Sequence, residues 1–426
     1  MKTKIIPFIS TLILFVFLFS SCDEPVYKIY TGYSPVFMTY EELRASVYLE
    51  QDVDLVNPGK IYFKDDYIFI IEEMKGIHVF NNVNPASPVK TTFVKIPGVV
   101  DISISGNILY ADSYIDLVVL DVQDINNIHE VARMEDFLPY TIPPANNDYP
   151  TAWVDSDKGV VIDWEVKKIK EEDHYYYEPM PVFKADKDYY QLINATGVSS
   201  GISGSGVGAG GSMARFGIKG NVLYVLSEYR FKVFDISVKT SPQPTGEIYT
   251  GTLAETMFLT DKYMFIGSTT GMAIYDLSVP LTPQFLSIFS HAQYCDPVIV
   301  VDTLAYITLR TGTNCGGSIN QLNVVNIKDI LSPKLVMSYA LTNPYGLGKD
   351  GDILFVCDGS AGLKIFDASD PRTIIDHLIK AYPGIHAYDV IPMNGILILI
   401  GADGLYQYDY SDLQDISLLS SILVSK

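Results

Sequence analysis

The chain is short of basic residues: 30 Lys and Arg stand against 50 Asp and Glu among its 426 residues, for a formal net charge of −20. Nucleic acid and anionic membrane surfaces are gripped by clustered Lys and Arg, so this balance excludes them as the natural partners. Histidine and cysteine are scarce as well, at 6 and 4. The histidines are scattered, and no H-x-x-x-H or Cys-x-x-Cys spacing exists to hold a metal. The G-x-S-x-G match GVSSG (197–201) lies in a Gly/Ser-rich stretch that leads into a strand rather than a helix, so it is no nucleophile elbow; H-E-x-x-H is missing, which removes the zinc-peptidase reading, and no signature calls for a cofactor. Beyond a short N-terminal stretch, no segment follows the helical period.

What the chain does have is a repeat. Seven short apolar runs end in Asp or Asn at a turn: IHVFN at Asn81, LVVLD at Asp121, FKVFD at Asp235, MAIYD at Asp276, LNVVN at Asn326, LKIFD at Asp367 and LYQYD at Asp409. Their separations are 40, 114, 41, 50, 41 and 42 residues, so one gap holds an insertion of about 70 residues beyond a unit of about 40. In the sixth unit ILFVC, LKIFD and DHLIKAY read as strands separated by turns, with GLGKDG closing a weaker fourth. Four short strands per period predict an all-β, seven-bladed β-propeller of four-stranded antiparallel blades, with the insertion between blades two and three. Gly76, Gly271, Gly362 and Gly404 lie five residues before the turn residue, where a tight hairpin needs positive φ. The Asp or Asn itself reads as an Asx-turn acceptor, helped by Ser237, Ser278, Ser369 and Ser411 two residues on, since catalysis would not need seven copies.

LVVLD, LNVVN and LKIFD, with the D-x-S-D-P that follows the last of them, resemble LVIVD repeats, which occur in bacterial extracytoplasmic proteins. TYEELRASV (39–47), GGSMARF (210–216) and CDPVIVVDTLAYITLRTGTNCGG (295–317) are similar to segments of lipoproteins of that family. The resemblance implies a propeller fold; it brings no reaction or catalytic residue.

The N-terminus reads as a processing segment. Lys2 and Lys4 precede an apolar run from Ile5 to Phe19, and Ser20-Ser21 precede Cys22, a pattern resembling a bacterial lipobox with Phe19 where Leu is usual. At 15 residues the run is short for a spanning helix, so residues 1–21 are expected to be removed and Cys22 lipidated. Membrane attachment is then expected through that lipid, on an extracytoplasmic protein, with Asp23-Glu24 resembling a surface-export signal. Residues 22–48 form a tether and a short helix opened by a Thr39-x-x-Glu42 capping box. Residues 49–139 carry blades 1 and 2, and 213–426 carry blades 3 to 7.

The insertion, residues 140–212, joins the last strand of one blade to the first of the next, so it belongs on the face of the disc that bears the b–c and d–a connections. It holds both tryptophans, Trp153 and Trp164, with Tyr175, Tyr176 and Tyr177. Core packing suits the tryptophans, and a binding surface for an envelope protein or glycan is the alternative that also suits the tyrosine runs. TGVSSGISGSGVGAGG (196–211) lacks the Lys-Ser/Thr of a phosphate loop and reads as a flexible return to the ring. Aligned on the repeat, Lys60, Asp101, Arg215, Thr256, Pro297, Gly346 and Asp389 share one level of the innermost strands. The charged members form either a self-neutralising ring or a ligand site, with His386 on the same face. Cys295 and Cys315 open on that face in one unit and are expected to form a disulfide, whereas Cys357 ends an apolar strand as a buried thiol. An enzyme acting on polysaccharide or peptide at the channel mouth is the other functional reading.

Overall fold

The apolar runs become the middle strands of seven antiparallel sheets in a computed structural model that describes residues 27–146, 148–172, 209–212, 214–290, 297–310 and 319–425. The blades span 58–95, 102–134, 216–249, 254–290, 298–340, 347–382 and 387–423, each a four-stranded up-and-down meander in chain order. The innermost strands of successive blades touch one another, and that of blade 1 meets blade 7, so the sheets close into a ring. The fold is therefore the seven-bladed propeller that the spacing predicts. The b and c strands are buried almost throughout, because each sheet packs its two faces against neighbours.

All seven turn residues make the predicted bond. Asn81, Asp121, Asp235, Asp276, Asn326, Asp367 and Asp409 each accept, through Oδ1, the N–H two residues on, at 2.7–3.0 Å. Hydroxyls of Ser237, Ser278 and Ser411 donate to the same oxygen, which holds those carboxyls below their ordinary range. Tyrosines, three buried and one half-buried, tie blade to blade. Tyr110 donates to the Lys239 carbonyl, Tyr224 to that of Pro280, Tyr339 to that of Pro371 and Tyr382 to that of Ile416, each time in the c–d turn of the following blade.

The hairpin glycines divide in their reasons. Gly271, Gly362 and Gly404 adopt positive φ. Gly76 does not; Met74 takes the left-handed conformation in that turn, and Gly76 is needed because a Cβ would lie 2.3 Å from the Val94 carbonyl oxygen.

Two pieces lie outside the meanders. The helix Tyr40–Arg44 starts with the capping box, Thr39 and Glu42 bonding reciprocally, and buries Leu43 against Tyr114, Ile115 and Val160. Arg44 and Arg133 converge on the buried Asp116 at 3.2 and 3.0 Å, which fastens the helix to blade 2. Tyr48–Glu50 then pairs with the outer strand of blade 1 as a fifth strand on its rim. The N-terminal strand thus thickens blade 1, and blade 7 takes all four of its strands from the C-terminal part of the chain. Tyr27–Met38 forms a long antiparallel ribbon with Val160–Glu172.

Candidate functional site: the sealed mouth of the channel

The d–a and b–c connections share one face, and the described parts of the insertion sit on it. Val160 packs on the b–c turn of blade 2, and Tyr140 donates to the Gly159 carbonyl at 2.7 Å. A register shift opposite Val36 and Phe37 breaks the alternation of the 160–172 strand, so Val160 and Val161 are both buried while Ile162 and Val166 face outward. Trp164 is half-buried, its indole N–H donating to the Pro143 carbonyl at 2.8 Å, and Trp153 is exposed. Along its outer part this strand therefore presents apolar side chains to solvent.

The end of the Gly/Ser-rich return crosses the channel mouth. Ala209 and Gly210 pair with Phe63 and Tyr62 on the inner strand of blade 1. Ser212 donates from N and Oγ to Asp389 Oδ1 of blade 7, at 3.2 and 3.3 Å, and its Oγ accepts the Leu347 N–H of blade 6 at 2.9 Å. The Ala214 carbonyl accepts the Met257 N–H of blade 4 at 2.7 Å. Arg215 and Phe216 donate their N–H groups to Asp101 Oδ2 of blade 2, at 2.6 and 3.1 Å. Residues 209–216 are thus bonded to blades 1, 2, 4, 6 and 7 before they become the first strand of blade 3. Gly346 makes room for one of these anchors, since a Cβ there would lie 2.1 Å from Asp389 Oδ1.

The charged positions aligned on the repeat are brought together on this seal. Lys60, only 2% exposed, pairs its Nζ with Asp101 Oδ2 at 2.9 Å. Burial pushes the Lys60 ammonium down from its usual range and the Asp101 carboxylate pulls it back. Asp112, also buried, accepts the Val100 and Asp101 N–H groups at 2.7 and 2.9 Å; burial raises its carboxyl to about 6. Asp101 and Asp389 spend oxygens on the crossing segment, and of Arg215 it is the backbone that reaches Asp101. Thr256 is buried at the same level. Cys22, Tyr175, Tyr176, Tyr177, Cys295 and Cys315 lie outside the described residues. Cys357 is a buried free thiol, with its pKa raised by burial.

A second group on this face has only one member, His386, among the residues singled out in the sequence. The Arg310 guanidinium, buried at the end of the blade 5 b strand, lies 3.7 Å over the Tyr345 ring. Tyr345, His386 and Tyr388 form a three-ring cluster with centroids 5.3–5.9 Å apart. Asp403, in the blade 7 b–c turn, accepts the Tyr406 hydroxyl. Desolvation, and after it the Arg310 charge, hold His386 below its ordinary pKa, while Asp403 opposes them. Among the described residues, buried Nε2 of His386 and Oδ1 of Asp403 have no hydrogen-bond partner. Arg310, Tyr345 and Asp403 stand just beyond strand ends, in connections where a repeat alignment assigns no role. No group of three or more His, Cys, Asp or Glu suited to a metal occurs among the described residues.

No family model matches the chain, and no curated protein matches it. Among solved structures it is similar to BamB from Moraxella catarrhalis, at 10% identity over 90% of this chain and 96% of that one, with a TM-score of 0.47. Sqt1 from Saccharomyces cerevisiae is 12% identical over 92% and 100%, with a TM-score of 0.48. The computationally designed Ika8 protein is 10% identical over 86% and 89%, with a TM-score of 0.49. The seven sheets themselves establish the fold.

Proposed function

We propose that the protein is a lipid-anchored cell-envelope module of the LVIVD-repeat type, whose insertion-bearing face binds an envelope protein or a glycan. The sealed channel mouth carries this reading. The described residues of the crossing segment take up the buried carboxylates Asp101 and Asp389, so the chain itself rather than a ligand satisfies these groups, and binding falls to the surface around them. Tyr249, Tyr388 and Trp153 stand on that face, and aromatic rings with polar tips suit recognition surfaces. Among the described residues no helix is long and apolar enough to cross a membrane, and attachment is assigned to lipid on Cys22, a few residues before the ribbon.

The test is capture from native membranes by the protein and by a variant in which residues 144–207 are replaced by a short linker, keeping the 209–216 crossing. The variant is expected to unfold cooperatively like the parent and to lose the captured partner. A folded variant that captures the same partner overturns the assignment.

A further inference from the structure

We propose that the cluster formed by Arg310, Tyr345, His386, Tyr388 and Asp403 is a subsite for a neutral sugar residue of a glycan. The inference rests on the reading of this face as a binding surface and gives it a ligand class.

Three observations carry it. First, an imidazole nitrogen and a carboxylate oxygen are buried here without partners among the described residues, in one connected group: Ala402 donates its N–H to the His386 carbonyl at 3.0 Å, and Asp403 Oδ1 lies 3.3 Å from where a Cβ on Gly401 would stand. Leaving such atoms unpaired is costly, and a hydroxyl, which both donates and accepts, satisfies both kinds of atom. Second, charges of both signs face this group. Desolvation and the Arg310 charge lower the His386 pKa while Asp403 raises it, and Tyr388 feels the carboxylates of Glu73 and Asp403 as well as Arg310. Such a mixed surrounding favours a neutral ligand over an anionic one. Third, Tyr388 is only half-buried beside His386, and an aromatic ring that keeps some exposure can pack against the C–H face of a pyranose, while Tyr345 is already covered by the guanidinium. A peptide anchor would call for an apolar pocket, and the cluster presents polar atoms and aromatic edges instead.

The test uses residues 22–426 with Cys22→Ser, titrated calorimetrically with cellohexaose, maltohexaose, mannohexaose and xylohexaose, and with hexagalacturonate as the acidic counterpart. At least one neutral hexasaccharide is expected to bind in the micromolar to millimolar range, in preference to the acidic one. His386→Ala and Tyr388→Ala are expected to weaken that binding at least tenfold, and His386→Gln to retain part of it. Val279→Ser, on the opposite face and 61% exposed, is expected to leave it unchanged. Thermal unfolding within a few degrees of the parent checks that each variant is folded. Absence of binding by all the neutral sugars, preference for the acidic one, or equal binding by folded His386→Ala and Tyr388→Ala overturns the proposal. Membrane capture separates this outcome from the broader reading: a partner protein still held by His386→Ala leaves the binding face standing and removes only the sugar.

Discussion

Asn82 and Gln407 exchange both of their side-chain amide hydrogen bonds across the seam between blade 1 and blade 7, at 2.9 and 2.7 Å. Each is buried, and Gln407 Nε2 also donates to the Pro85 carbonyl at 3.0 Å, where Ser420 donates as well. Among the described residues no strand is shared across this seam, so the pair replaces the swapped strand by which a ring can be fastened. The bond from Ser425 N to the Leu55 carbonyl, at 2.8 Å, adds a backbone tie.

Gln407→Ala leaves the Asn82 amide buried without its partner, at a cost of about 1–3 kcal/mol. A melting temperature lower by a few degrees is expected in calorimetry. The double variant with Asn82→Ala is expected to cost less than the sum of the two single changes, because the two side chains act as one unit. Additive effects would show that the seam is held elsewhere.

Asp101→Ala is expected to be among the most damaging single substitutions. It removes the only carboxylate paired with the buried Lys60 ammonium among the described residues and uncaps Arg215 and Phe216 together. Breaking a buried ion pair from one side costs roughly 3–5 kcal/mol. Lys60→Met in the same chain is expected to recover part of the loss, since it removes the stranded charge. Hydrogen exchange at the Arg215 and Phe216 amides is expected to accelerate in the single variant relative to strand amides of blade 4; unchanged protection there would contradict the role given to Asp101.

The pH dependence has a definite sign at Glu73. Desolvation raises its carboxyl to about 7, with Glu72 adding to the effect while the Asn57 amide and Lys75 oppose it. The folded state holds this proton more tightly than the unfolded chain does, so the stability it contributes is full below about 4.5 and is lost as pH rises through about 7. Glu73→Gln is expected to flatten the fall in melting temperature between pH 5 and pH 8. Parallel curves for variant and parent would show that Glu73 ionises in the folded state as it does in the unfolded one.

Much of this was legible from local chemistry. The turn residues, the capping box and the strand period depend on neighbours within a few positions, and the repeat multiplies each signal sevenfold. The same alignment placed Lys60 and Asp101 at one level, where they pair. The seal was not legible, because glycine and serine near 209–212 give a flexible composition, and only the ring explains why they are small: Gly210 lies against Tyr62, and Ser212 fits between Asp389 and Leu347. The seam was hidden for a similar reason, since Asn82 follows a turn residue and Gln407 interrupts an apolar strand, and neither reveals a partner 325 residues away. The rim cluster falls in connections that differ from blade to blade, so only His386 drew notice.

The two cysteines of blade 5 are expected to be joined. Thr308 donates to the Pro297 carbonyl at 3.2 Å, so the chain beyond each residue starts from adjacent positions on one face, two residues after Cys295 and seven before Cys315. A bridge between positions 295 and 315 closes a loop of about 20 residues and is worth about 3 kcal/mol in the chain-entropy model. Mass spectrometry of non-reduced, alkylated protein is expected to find a Cys295–Cys315 cross-link and an unlabelled Cys357 in the folded state. Alkylation of both Cys295 and Cys315 without reductant would refute the bridge.

The claim that one face of the disc does the binding is tested most directly by photo-crosslinking in native membranes, with a benzoylphenylalanine placed at Tyr249, at Val279 or at Leu331. The three positions are similarly exposed, at 67%, 61% and 65%, but Tyr249 lies on the insertion-bearing face, where it stacks near Tyr229, and the other two occupy c–d turns on the opposite face. A discrete crosslinked species from position 249 alone is the predicted result. Crosslinks from 279 or 331 with none from 249 would contradict the account.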